Sequence, residues 1–363
     1  MNRLRELDFL RGIAIVLVLL RHRYICQFTE NIGWIGVDLF FVLSGFLVSG
    51  LLFKEFKVYG NIQPKRFLIR RGFKIYPIYY IFNILYLIPI LIDGNLKIIP
   101  LLSDLTFTQN YANGWGYLYF ASWSLAVEEH FYFAFTILLW LGIKYNKIIL
   151  NESFEKRNYF QMLIIGMLIF CFYLRLISNI EFPEDVARNF TMTHLRIDSL
   201  LAGVYIAYLY YFRLNVTTQI FNKYKKILLS IAFLCLVWTP FFDAASSFFV
   251  KTIGFTLLYI SFGILLLYFI LTPNINKQLN YLFGSSIINF LGKVGYCSYS
   301  IYIIHSIVIF YIDNVSLNYN LSINNFSKFL ITAILSILIG MIMTYKIEAY
   351  FLKIRNTIMP SRI

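Results

Sequence analysis

The sequence predicts an all-α, polytopic integral membrane protein of about ten transmembrane helices, with both termini in the cytoplasm. Three observations carry that reading. Of the 363 residues, 59% are hydrophobic and only 14% are charged, where a soluble domain carries about 25% charged residues. The mean hydropathy is +0.69, and apolar runs close to the span length of roughly 20 residues recur from one end of the chain to the other. The Lys and Arg residues behind the net charge of +14 gather in short segments between those runs. Orientation signals are distributed that way; a nucleic-acid surface is not.

In order, the expected spans are 8–24, 34–53, 75–92, 123–142, 160–178, 194–212, 227–243, 252–271, 294–312 and 328–345. Pro77 and Pro89 interrupt the third and Pro240 the seventh. Segment 96–109 is too polar to span and is expected in the interface or as a re-entrant piece. The first run lacks a small-x-small cleavage site and contains Arg11, so it is a permanent span and no secretory signal. Even-numbered loops and the two termini hold 23 of the 32 Lys and Arg, among them Arg3, Lys156 and Arg157, whereas odd-numbered loops hold 6. That bias sets both termini in the cytoplasm. The cysteines, Cys26, Cys171, Cys235 and Cys297, are scattered without metal spacing and read as small apolar residues. With four histidines and no HExxH, no metal is expected. The chain reads as a single membrane-embedded domain, 1–363, without an appended extracytoplasmic domain.

Charge inside spans is costly and kept mainly for function, which directs attention to "FLRGIAIVLVLLRH", Phe9 to His22. Arg11 and His22 are eleven residues apart, which puts them within about 20° of each other around a helix and roughly 16 Å apart along it. Arg11 then lies in the inner half and His22 near the outer end. Asp38, Arg175, His194, Arg196, Asp198, the pair Glu128 and Glu129, and His305 come to similar outer-half depth from other spans. Singly, such residues snorkel to headgroups or hydrogen-bond within the protein. Together they predict a water-accessible cavity open to the outside. On the opposite face "PKRFLIRRGFKIYP" concentrates Lys65, Arg66, Arg70, Arg71 and Lys74, read either as attraction to anionic lipid or as an anion site built from guanidinium forks.

The two faces together suit a ligand with phosphates at the cytoplasmic surface and a long thin arm passing Arg11 towards His22. Acyl-coenzyme A has that shape. His22 would be general base on an acceptor hydroxyl attacking the thioester, with a carboxylate orienting the imidazole.

At these residues the chain resembles the acyltransferase family 3 of integral membrane acyltransferases, which includes bacterial surface-glycan and O-antigen O-acetyltransferases. The motifs are "LDFLRG" with Arg-x10-His, "GVDLFFVLSGFL", "RRGFKIYP", "SWSLAVEEHFY" with His130 where Gln is usual, "RIDSLLAG" and "YSIYIIH". The resemblance implies transfer of an acyl group, usually acetyl, from cytoplasmic acyl-CoA to a hydroxyl of an extracytoplasmic glycan or glycolipid at the bacterial cytoplasmic membrane. It implies catalytic roles for Arg11 and His22 and donor contacts for Arg70 and Arg71. From their placement, Glu128 and Glu129 are expected to join the catalytic pair, Arg11, Arg66 and Tyr76 to add donor contacts, and Asp38, Trp123, Arg196, Asp198 and His305 to contact the acceptor. The ending "YKIEAYFLKIRN" departs from relatives in which Glu is followed by a Pro-Phe pair, which puts a role for Glu348 in doubt. Two other readings stand beside this one. One is a glycan transporter or flippase without chemistry, which has no need of a basic cytoplasmic face aligned with a distant His; the other is an inactive sensor or scaffold. Direct transfer and an acyl-enzyme on Ser44 or Ser300 both stay open, as does the oligomeric state.

Overall fold

The computed structural model describes residues 5–148, 150 and 159–362. Arg3, Lys156 and Arg157, counted above among the cytoplasmic basic residues, lie outside the described residues. Among the described residues every regular element is helical. Ten helices run for 17 residues or more: α1 (Arg5–His22), α2 (Ile35–Tyr59), α3 (Pro64–Ile92), α4 (Trp123–Lys144), α5 (Tyr159–Glu181), α6 (Thr193–Phe212), α7 (Leu214–Leu236), α8 (Phe255–Leu271), α9 (Ser298–Asn318) and α10 (Asn325–Met343). One of them lies at each expected span.

Among the described residues, seven helical stretches are long and apolar enough to cross a membrane: 27–59, 64–92, 120–144, 159–181, 250–271, 298–318 and 325–358. The three long helices outside that set are α1, α6 and α7. The first two carry charge within the fold, Glu6, Asp8 and Arg11 on α1 and Arg196 and Asp198 on α6. Both have much of their length buried by other helices, so their polar groups meet protein and not lipid.

Three spans differ from expectation. The third was placed at 75–92 and interrupted by Pro77 and Pro89, yet α3 starts at Pro64 and continues through both prolines. The seventh span was placed at 227–243, yet α7 starts at Leu214 and stops at Leu236, ahead of a 3-10 turn at Thr239–Phe241. Pro240 has no N–H to continue the helix, and it disfavours helical backbone in the residue before it. The ninth, placed at 294–312, is two helices. One covers Ser285–Tyr296, and α9 follows after Cys297. The first of these lies against α1 so closely that a Cβ on Gly295 would fall 1.8 Å from the Asp8 carbonyl oxygen.

Lipid supplies no hydrophobic drive between helices, so close packing has to hold the bundle. The crossing of α2 and α6 shows how this is met. A Cβ on Gly45 would lie 2.0 Å from the Leu200 carbonyl oxygen, and one on Gly203 would lie 2.2 Å from that of Val42. Around this crossing a large core joins α2, α4, α6 and α8, while a second joins α1, α3, α4, α9 and α10. Between α3 and α4 the polar segment 96–109 folds as two short helices, Ile98–Leu105 and Gln109–Ala112. Phe107 stacks on Tyr79 of α3 with ring centroids 4.3 Å apart. Buried Asp104 anchors the following loop by accepting the N–H groups of Tyr117 and Leu118 at 3.1 and 2.7 Å. Burial nevertheless pushes its carboxyl up to about 6.

Candidate active site

A cavity of about 330 Å³ lies among α1, α2, α3, α4 and α9, at the seam of the two cores. Clefts of about 300–1,000 Å³ are the usual size for small-molecule sites. Asp8 and Arg11 of α1, Arg71 and Lys74 of α3, and Gly50 and Leu51 of α2 line one end. These positions belong to the helix ends that the basic-residue bias assigns to the cytoplasm. Apolar walls of Phe40, Phe41, Leu47 and Ile75 follow. The far end is closed by Val37, Ser124, Leu125 and Tyr302.

Both adjacent carboxylates face this cavity. Glu128 accepts hydrogen bonds from the Ser44 and Tyr132 hydroxyls, each at 2.6 Å. Arg71 donates to the same Tyr132 hydroxyl at 2.6 Å and lies over its ring at 4.3 Å. Glu129 accepts the Tyr76 hydroxyl at 2.9 Å through Oε2, while its buried Oε1 has no partner. Ser124, Glu128 and Tyr132 are spaced four apart on α4, so one stripe of that helix delivers all three. That spacing was present in the sequence and would have pointed to Ser124 and Tyr132.

Arg11 lines the cavity and, among the described residues, makes no hydrogen bond or ion pair. Lys74, 4.0 Å from buried Glu348, adds a second cation beside it. Glu348 lies in the π-helical turn Thr344–Glu348 that follows α10. The structure therefore brings the residue left in doubt to the basic end of the cavity. His22 ends α1, one side chain behind the cavity wall. Its Nδ1 is 2.9 Å from the Val18 carbonyl, and Nδ1 of His305 is 2.5 Å from that of Tyr302. A carbonyl only accepts, so each Nδ1 carries a proton, and in the neutral ring each Nε2 presents its lone pair. The two rings lie 4.8 Å apart, and Tyr302 is 5.5 Å from His305. The expected orienting carboxylate is thus replaced by a backbone carbonyl, because Glu128 and Glu129 are engaged within the cavity.

The remaining expected residues divide into two groups. Arg66 and Arg70 donate to the carbonyls of Pro360 and Met359, facing the segment after the last helix, whereas Arg71 and Lys74 of that basic run line the cavity. Asp38, Trp123, Arg196 and Asp198 form an internal knot. Arg196 holds both Asp38 oxygens at 2.8 and 2.9 Å and lies 3.6 Å from the Phe255 ring and 5.5 Å from Trp123. Asp198 is paired with Arg175 at 2.7 Å. None of these charges lines the cavity described above, and each finds its partner in a neighbouring helix. Ser300 likewise bonds Thr344 at 2.8 Å, away from the cavity, whereas Ser44 lies on its wall. Among the described residues no three His, Cys, Asp or Glu side chains gather as a metal site would need.

Comparison with known proteins adds the family. The model of the acyltransferase domain matches residues 4–345. The chain belongs to this acyltransferase family. A Staphylococcus aureus (strain COL) chain provisionally named an O-acetyltransferase is 27% identical over 332 residues, covering 86% of this chain and 52% of its own. The peptidoglycan O-acetyltransferase OatA of Listeria monocytogenes is 27% identical over 325 residues, covering 83% and 48%. The O-acetyltransferase OatA of Staphylococcus aureus (strain NCTC 8325) is 30% identical over 224 residues, covering 56% and 34%. The acyltransferase chain thus spans about half the length of the first two of these relatives. No solved structure matches it. The cavity, Arg11, Glu128, Glu129 and the His22–His305 pair all fall inside the matched acyltransferase domain.

Proposed function

We propose that the protein is a membrane O-acyltransferase. It moves an acetyl group from acetyl-CoA, entering at the cytoplasmic face, to a hydroxyl of a glycan or glycolipid at the outer face of the bacterial cytoplasmic membrane. All ten long helices serve as spans, both termini are cytoplasmic, and residues 1–363 act as one catalytic domain. The observation that carries this reading is α1 itself. It sets Arg11, unpaired among the described residues, in the cavity and, on the same helix, a histidine whose Nδ1 faces a backbone carbonyl just past the cavity's far end.

The donor's phosphates meet the cations at the basic end, and its thin arm extends between the apolar walls. Arg11 is drawn to the donor's charge because no carboxylate among the described residues pairs with it directly. Val18 holds His22 in the tautomer that a general base needs. His22 Nε2 takes the acceptor's hydroxyl proton as the oxygen attacks the thioester carbon. The tetrahedral intermediate collapses with cleavage of the C–S bond, and the proton passes from His22 to the thiolate. The products are an O-acetyl ester and free coenzyme A. The relative named a peptidoglycan O-acetyltransferase supports a glycan acceptor.

The test is incorporation of radiolabelled acetyl, released by mild base, into surface glycan of cells making wild type or His22→Ala at equal membrane abundance. Loss of a general base predicts a fall of about 10²–10⁴-fold in the variant. Absence of label with both proteins would favour a glycan carrier without chemistry.

A further inference from the structure

We infer that the paired hydroxyls of Ser124 and Tyr302 form the carbonyl-binding site of the transfer reaction, one donating a hydrogen bond to the thioester oxygen as it becomes an oxyanion while the other holds the Ala121 carbonyl. The inference rests on the acyl-transfer reading above. Both hydroxyls lie at the far end of the cavity, 2.6 Å from each other, on side chains otherwise buried. Tyr302 also donates to the Ala121 carbonyl at 2.9 Å, and Ser124 reaches the same carbonyl at 3.2 Å. Three contacts are therefore drawn on two protons. Either hydroxyl can turn to a ligand carbonyl while the other keeps Ala121 satisfied, so the switch strands no buried acceptor.

Their position fits the chemistry. Tyr302 closes the cavity and its own carbonyl fixes the tautomer of His305, which packs on His22. A thioester reaching this wall would have its oxygen at the hydroxyl pair and its carbon turned towards the base. As the acceptor oxygen bonds to that carbon, the C=O π pair moves onto the oxygen and the hydroxyl pair receives the charge. When the C–S bond breaks, the carbonyl re-forms and the thiolate takes the proton from His22. Ser124 is in the first turn of α4, whose positive dipole end also favours an oxyanion there.

The experiment uses membrane vesicles containing the full chain and host wall glycan, supplied with radiolabelled acetyl-CoA. Tyr302→Phe keeps the ring that packs on His305, and Ser124→Ala removes only a hydroxyl. Each is expected to lower the maximal rate on the order of 10²-fold, the usual effect of removing one oxyanion donor, with KM for acetyl-CoA within about threefold of wild type. A trifluoromethyl-ketone analogue of acetyl-CoA, which mimics the tetrahedral state, should lose potency against the variants in proportion to their rate loss. A purely structural role would not move that inhibitor. Wild-type transfer with rates preserved in both single variants and in the double variant would overturn the inference and leave the acyl-transfer reading intact. No transfer by wild type would overturn both.

Discussion

Arg11 and Arg196 are the same residue type inside helices of the same bundle, and their surroundings are opposite. Arg196 is 1% exposed, is held by both oxygens of Asp38 and is pressed on the Phe255 ring. Its bonding capacity is spent within the protein. Arg11 lines a cavity and pairs with nothing among the described residues. In the sequence both are arginines in apolar runs, and nothing local separates them. Breaking a buried ion pair by removing one partner costs about 3–5 kcal/mol, because the other charge is left uncompensated. Asp38→Ala should therefore lower thermal stability in detergent and abundance in the membrane. A variant that melted like wild type but showed a raised acceptor KM would return Asp38 to the substrate site.

Among the elements, position along the chain was legible and register was not. Each expected span coincides with a long helix because apolar runs of membrane length are a strong one-dimensional signal. The early end of α7 comes from Pro240, and the segment ahead of α9 is a separate helix packed on α1 where Gly295 nearly meets Asp8. Both are local backbone constraints that hydropathy does not register. The α2–α6 crossing is set by glycines at which two backbones nearly touch. Gly45→Leu would place a side chain into the Leu200 carbonyl, forcing α6 away and with it the Arg196–Asp38 pair. That variant should fail to accumulate as a folded, monodisperse protein by size-exclusion chromatography, whereas Gly60→Ala, where a Cβ meets nothing, should stay monodisperse. The Gly60 change strains only a positive φ of 68° at a helix end.

For the whole molecule, the proposed orientation places the turn after α1 outside the cell. Cys26, in that turn, is exposed, while Cys171, Cys235 and Cys297 are buried. A membrane-impermeant maleimide should therefore label intact cells at Cys26, and Cys26→Ser should abolish the label. Labelling only in inverted vesicles would reverse the orientation and move the donor side to the opposite face. The sequence by itself determined the helical membrane architecture, the placement of Arg11 and His22 on one helix, and the motifs that mark an acyltransferase. Hydropathy, helical spacing and charge bias depend only on residue order, so no tertiary contact is needed to read them. Tertiary structure alone decided which charges neutralise each other and which line the cavity. It gathered Asp38, Arg175, Arg196 and Asp198 into a closed knot, turned both Glu128 and Glu129 to the cavity, and put a backbone carbonyl behind His22. The reason is that pairing depends on rotation and separation between helices, which close-packed side chains and glycines set across long stretches of chain.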